Sequence, residues 1–118
     1  MTSPEIPSVP VDAVPAEFDD AGTTPALLLD VREDDEWQLG HAPGAVHIPM
    51  AAIPARADEL DYEREIYVVC RQGGRSLQVV RYLMHIGFDA VNISGGMVAW
   101  QKAGRPLTTE GDHEATIY

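Results

Sequence analysis

At 118 residues the chain has room for one compact domain and not for two. Hydrophobic residues make up 45% of it, enough to fill a core, which excludes wholesale disorder. A formal net charge of −11 makes nucleic acid and anionic lipid poor partners, and a single cysteine excludes an internal disulfide.

The N-terminus lacks a basic start followed by an apolar stretch, and no apolar run reaches the length of a membrane span. A lone thiol fits a reducing compartment, so the expectation is a cytoplasmic protein with no membrane partner. Residues 1–8 carry Pro4 and Pro7 and little that packs, and read as a flexible tail. Residues 108–118 are polar, acidic and unpatterned, and read as a second. The globular part is then 9–107.

Within it, residues 9–22 hold an edge strand and a short helix. Residues 26–31, Ala-Leu-Leu-Leu-Asp-Val, are a continuous apolar run after Pro25 and read as a buried strand. Residues 34–39 form a short helix that Gly40 stops. Residues 45–48 make a brief strand closed by Pro49, and residues 51–60 a weak helix interrupted near Pro54. Residues 66–69 are a strand that delivers Cys70. Residues 76–86 give the clearest helix, with Leu77, Val80, Leu83 and Met84 on one face and Gly87 at its end. Residues 90–93 are a last strand, Gly95-Gly96 turns the chain, and residues 97–102 make a final short helix. Strands alternating with helices predict an α/β fold, a mainly parallel sheet with helices on both faces. Ligands of such sheets sit at the carboxyl ends of the strands, where this reading puts Cys70 and Asp30.

The loop Cys70-Arg71-Gln72-Gly73-Gly74-Arg75-Ser76 concentrates the chemistry. The helix starting near Ser76 offers unpaired N–H groups and a partial positive charge. Gly73 and Gly74 can take backbone angles that turn consecutive N–H groups inward as a cup. Arg71 and Arg75 supply donor forks that match an oxyanion. Features of this kind activate a thiol by stabilising its anion. The bland alternative is a buried cysteine that only fills space, beside two solvated arginines.

Four segments, in order, resemble the single-domain rhodaneses, a family of sulfurtransferases. They are Leu29-Asp30-Val31-Arg32-Glu33, the run from Gly40-His41-Ala42-Pro43-Gly44 to Pro49, the Cys70 loop, and Gly95-Gly96-Met97-Val98-Ala99-Trp100. The resemblance implies a five-stranded rhodanese-like domain over residues 9–107. It also implies a Cys70 persulfide formed from a small anionic donor such as thiosulfate and discharged to a thiophilic acceptor such as cyanide or a thiol. In that scheme Cys70 is catalytic. Backbone N–H groups from Arg71 through Gln72, Gly73, Gly74 and Arg75 to Ser76 surround the persulfide, and the arginines hold or guide the donor. No metal or organic cofactor is needed. A second reading from the same loop is a carrier or docking module in a sulfur relay, with a partner protein as donor.

Loop length separates these readings from a third. Cysteine phosphatases and arsenate reductases of similar fold place five residues between cysteine and arginine. Four separate Cys70 from Arg75, a cup sized for one sulfur atom. Asp30 and Arg32 brace the loop if the resemblance holds. Their local reading is structural, with Arg32 paired to Glu36 and Asp30 capping the next turn. His41 and His47 have no ligand-like spacing and no completing cluster, so no metal is expected. His85 suits a helix C-terminus, and Trp37 and Trp100 read as packing anchors.

Overall fold

The computed structural model describes residues 6–18 and 25–117. Five strands form one sheet: β1 (Ser8–Pro10), β2 (Ala26–Asp30), β3 (Val46–His47), β4 (Glu65–Val69) and β5 (Ala90–Ser94). Their order is β1-β5-β4-β2-β3 and every pairing is parallel. The helices are α1 (Asp34–Leu39), α2 (Ile53–Arg56), α3 (Gly74–His85) and α4 (Gly96–Lys102). This is the expected α/β architecture with five strands.

The pleat divides each strand's side chains between two cores. Leu27, Leu29, Ile66, Val68, Cys70 and Ala90 share one core with Val79, Val80 and Leu83 of α3 and Ile53 of α2. Leu28, Val69 and Ile93 share the other with Met97 and Trp100 of α4. Every residue of β2 is buried, as a central parallel strand with helices on both faces requires.

The sequence boundaries differ from the structure mainly at element ends. The segment read as a weak helix over 51–60 is α2 flanked by two 3-10 turns, Met50–Ala52 and Ala57–Glu59, because Pro54 fits only the first turn of a helix. The expected edge strand and helix near the N-terminus are β1 and a 3-10 turn, Val11–Ala13; residues 19–22 of that expectation lie outside the described residues. The stretch read as a C-terminal tail is hydrogen-bonded to the domain. His41 and Thr108 exchange backbone bonds of 3.0 and 2.8 Å, and Thr116 N–H donates to the Leu39 carbonyl at 2.9 Å. Leu107 and Ile117 pack against the second core.

Because all strands are parallel, one edge of the sheet collects their carboxyl ends. Asp30 and Val69 are register partners there, and Val31 N–H reaches back to the Val69 carbonyl at 3.0 Å. The chain leaving β4 at this edge is the Cys70 loop.

Among the described residues, no helix is long and apolar enough to cross a membrane.

Candidate active site

Strand β4 hands its chain to α3 through four residues, Cys70 to Gly73, with Gly73 as the N-cap. Gly73 has φ +123, a conformation that L side chains rarely adopt. That turn aims its N–H at the cysteine sulfur: Gly73 N to Cys70 Sγ is 3.0 Å. The sulfur therefore sits at the amino end of a twelve-residue helix, where helix N–H groups lack intrahelical partners. Cys70 is 1% exposed, while Gln72 and Gly74, on either side of Gly73, are exposed.

Ser76, in the first turn of α3, lies 3.3 Å from the same sulfur through its hydroxyl. That hydroxyl also lies 2.6 Å from Asn92 Oδ1 and 3.1 Å from the Gly73 carbonyl. Asn92 is a buried polar residue on β5. It alternates with Val91 and Ile93 along the strand and so faces the α3 side. Its amide nitrogen is 3.3 Å from Ser8 Oγ on β1.

The loop is pinned from beyond by α4. Met97 N–H donates to the Cys70 carbonyl at 2.8 Å, and Val98 N–H to the Arg71 carbonyl at 3.1 Å. Gly96, with φ +60, lies against both carbonyls; a Cβ there would collide with the Cys70 and Arg71 oxygens.

Arg75, read from the sequence as a loop residue facing an anion, lies in the first turn of α3 and points to α1. Its two terminal nitrogens take both Glu36 carboxylate oxygens at 2.7 and 2.9 Å. The fork-to-fork hydrogen bonds hold the Glu36 carboxyl below its ordinary range and push the Arg75 guanidinium up. Glu36 Oε1 also accepts the Glu33 N–H at 3.0 Å, closing a capping box at the start of α1.

Asp30 and Arg32 form a buried pair of their own. Arg32 Nη2 and Nε donate to Asp30 at 2.7 to 3.1 Å, and the Arg32 N–H takes Asp30 Oδ1 at 3.0 Å. Arg32 Nη2 also donates to the Gly40 carbonyl at 2.8 Å. The expected partner of Arg32, the Glu36 side chain, is taken by Arg75; Arg32 reaches only the Glu36 carbonyl, at 3.4 Å. The pair ties the end of β2 to both ends of α1.

Trp37 packs outside both apolar cores. Its ring stacks on His41 with centroids 3.5 Å apart and on His47 at 4.6 Å. His41 Nδ1 bonds the Trp37 carbonyl and His47 Nε2 the Arg32 carbonyl, so both imidazoles are committed to local structure. Trp100 is buried in the second core, its indole N–H on the Pro106 carbonyl at 2.9 Å.

The structure brings Cys70, Gly73 and Ser76 together; sequence reasoning missed Glu36 and Asn92. For Asn92 a signal existed: an amide in the apolar run Ala90-Val91-Asn92-Ile93, on the same strand face as Ala90. For Glu36 none did, since its partner lies 39 residues away.

The rhodanese-like domain family matches residues 12–103. Bacillus subtilis YtwF, named as a candidate sulfurtransferase, is 47% identical over 79 residues, covering 67% of this chain and 77% of its own. A protein of Allochromatium vinosum named sulfurtransferase is 40% identical over 88 residues, 74% of this chain and 82% of its own. The crystal structure of a rhodanese-like domain protein from Staphylococcus aureus superposes with a TM-score of 0.69 at 34% identity, covering 90% of this chain and 95% of that one.

Proposed function

This chain belongs to the rhodanese family of sulfurtransferases, and on that premise we propose that it moves a sulfane sulfur from thiosulfate or a persulfide donor to a thiophilic acceptor through Cys70. The observation that carries this reading is the Gly73 N–H aimed at Sγ from 3.0 Å at the amino end of α3. A sulfur that only filled the core would need no donor pointed at it.

The chemistry runs in two displacements. The Cys70 thiolate attacks the outer sulfur of thiosulfate. A new S–S bond forms as the donor's S–S bond breaks, and sulfite leaves with the bonding pair. Cys70 then carries Sγ–S⁻. An acceptor such as cyanide attacks the terminal sulfur, and Sγ departs as thiolate, ready for the next cycle. Helix N–H groups and the glycine amide are preorganised to stabilise negative charge throughout, as an oxyanion hole does. The chain's residues suffice for these steps without a metal or organic cofactor.

The four-residue spacing from Cys70 to Arg75 supports sulfur transfer over phosphoryl or arsenate chemistry. So does the commitment of Arg75 to Glu36, which takes both nitrogens that would clamp a tetrahedral oxyanion.

The test is intact-mass spectrometry after incubation with thiosulfate, beside Cys70→Ser. The expected result is a gain of one sulfur atom, lost on adding cyanide, and no gain in the variant. An unmodified protein under donor excess would overturn thiosulfate as donor. Loading from a protein persulfide alone would make the chain a sulfur-relay carrier.

A further inference from the structure

Ser8, Asn92, Ser76 and Cys70 form a continuous chain of polar atoms, from the edge strand β1 through β5 and α3 to the sulfur. Three of its links have short, hydrogen-bonding distances: 3.3 Å from Sγ to Ser76 Oγ, 2.6 Å from there to Asn92 Oδ1, and 3.3 Å from Asn92 Nδ2 to Ser8 Oγ. Ser76 and Asn92 are buried, so the serine hydroxyl and the asparagine amide depend on protein partners rather than on water, the hydroxyl with Asn92 Oδ1 at 2.6 Å and the more distant Gly73 carbonyl at 3.1 Å.

The donor count makes this chain responsive to the charge on sulfur. Ser76 has one hydroxyl proton and can donate only once. With a thiol at Cys70, S–H donates to Ser76 Oγ, the Ser76 hydroxyl to Asn92 Oδ1, and the Asn92 amide to Ser8 Oγ. With an anion at Cys70 that direction fails, because the sulfur has no proton and the Ser76 proton points away from it. An asparagine amide is nearly the same shape after a half-turn, with a donor where the acceptor was. Turned, it donates to Ser76, accepts from Ser8, and frees the Ser76 proton for the sulfur.

We infer that Asn92 is a positioning residue for the Cys70 chemistry, and that the chain it centres reverses its hydrogen-bond direction when the sulfur becomes anionic. The inference deepens the sulfur-transfer reading and rests on it for its purpose: the attacking thiolate would gain a second donor beside Gly73 N–H. No proton travels along the chain. The thiol proton leaves to water, and the rotors turn. The charged groups about the sulfur are Arg75 on α3, Glu36 on α1 and Glu33 at its N-cap, Arg71 next in sequence, and the Asp30–Arg32 pair at the end of β2. All stay in place in the variants below.

Cys70 is the only cysteine, so iodoacetamide alkylation of the full chain followed against pH reads this sulfur alone. Ser76→Ala removes the second donor, and its alkylation midpoint is expected to rise by about one pH unit, the worth of one hydrogen bond to a charged group. Asn92→Asp can only accept, locks the Ser76 proton away from the sulfur, and should also raise the midpoint. Placed on the Ser76→Ala background, Asn92→Asp should add much less than it does alone. Ser76→Thr, which keeps the hydroxyl, should restore the wild-type midpoint. A wild-type midpoint in Ser76→Ala, or fully additive shifts, would overturn the inference; additivity would reduce Asn92→Asp to an added charge. Should the buried carboxylate prevent folding, the wild-type protein decides. The Asn92 side-chain amide resonances should shift with the same midpoint as alkylation, and amide signals flat across it would overturn the reversal. None of these readouts needs a sulfur donor, so failure of thiosulfate loading and failure of this inference are separable.

Discussion

Glu36 and Arg75 lie 39 residues apart and meet fork to fork, at 2.7 and 2.9 Å, so the first turn of α3, the helix that follows the Cys70 loop, is tied to the first turn of α1. The pairing spends Arg75 on a carboxylate. The guanidinium still acts on Cys70 through space, but its hydrogen-bonding face is taken. The positive charge of Arg75 is thereby tempered, while the Gly73 N–H stays on the sulfur at 3.0 Å.

Releasing that charge should favour an anionic donor. In Glu36→Gln the guanidinium loses its charged partner, and KM for thiosulfate is expected to fall about threefold while kcat changes less. Arg75→Ala should act in the opposite sense on KM. Steady-state sulfite release measures both; an unchanged KM in the pair would show that Arg75 takes no part in donor binding.

The same pair makes the fold acid-sensitive. The Arg75 hydrogen bonds lower the Glu36 carboxyl from its ordinary 4.5, so the folded state binds its proton less readily than the unfolded chain. The stabilisation is fully present above the unfolded value and is lost as pH falls through the folded one. Both side chains are mostly buried, and the contribution is about 1 kcal/mol. Urea unfolding at pH 7 and at about pH 3 should show Glu36→Gln less stable than wild type at the higher pH, with the gap closing at the lower.

The order of elements and the seat of the sulfur were readable because their causes are local. An apolar run such as residues 26–30 can only be buried, and a cysteine followed by glycines and a helix start sits at that helix's amino end wherever the helix goes. The ion pairs were not readable. Arg32 had Asp30 and Glu36 both within reach along the chain, and only the folded backbone puts Arg75 against Glu36. The fastening of residues 108–117 was hidden for another reason: backbone bonds such as Thr116 to Leu39 carry almost no side-chain signature. Three-residue β1, with a proline at its end, was legible only as an edge.

The Asp30–Arg32 pair should be costly to split and cheaper to remove whole. Both side chains are almost fully buried, so Arg32→Met leaves a carboxylate among apolar groups and loses the bond to the Gly40 carbonyl. A loss of about 3–5 kcal/mol is expected. Replacing Asp30 by Leu in the same protein should recover part of it. Denaturant midpoints decide, and a double variant less stable than Arg32→Met would contradict the role assigned to the stranded carboxylate.

Truncation after Gly111 tests the C-terminal fastening. It removes the Thr116–Leu39 backbone bond, the His113–Gln38 bond and the Ile117 contact with the second core. The expected cost is about 1–2 kcal/mol, a Tm drop of several degrees for a domain of this size. Cys70 alkylation should be unaffected, because the lost contacts lie on α1 and the second core rather than on the loop. An unchanged Tm would make these contacts energetically idle.

Gly96 offers the sharpest test of how the loop is held. Its φ of +60 strains any side chain, and a Cβ would strike the carbonyl oxygens of Cys70 and Arg71. Those same carbonyls accept from Met97 and Val98, so α4 grips the loop by backbone alone. In Gly96→Ala either α4 retreats, breaking both bonds, or the loop does, pulling Gly73 N–H off the sulfur. A loss of about 2–4 kcal/mol follows from the steric and backbone terms. Sulfur loading should fall at least tenfold, even at temperatures where the variant remains folded by circular dichroism. A variant folded and fully active would mean that α4 does not set the loop's position.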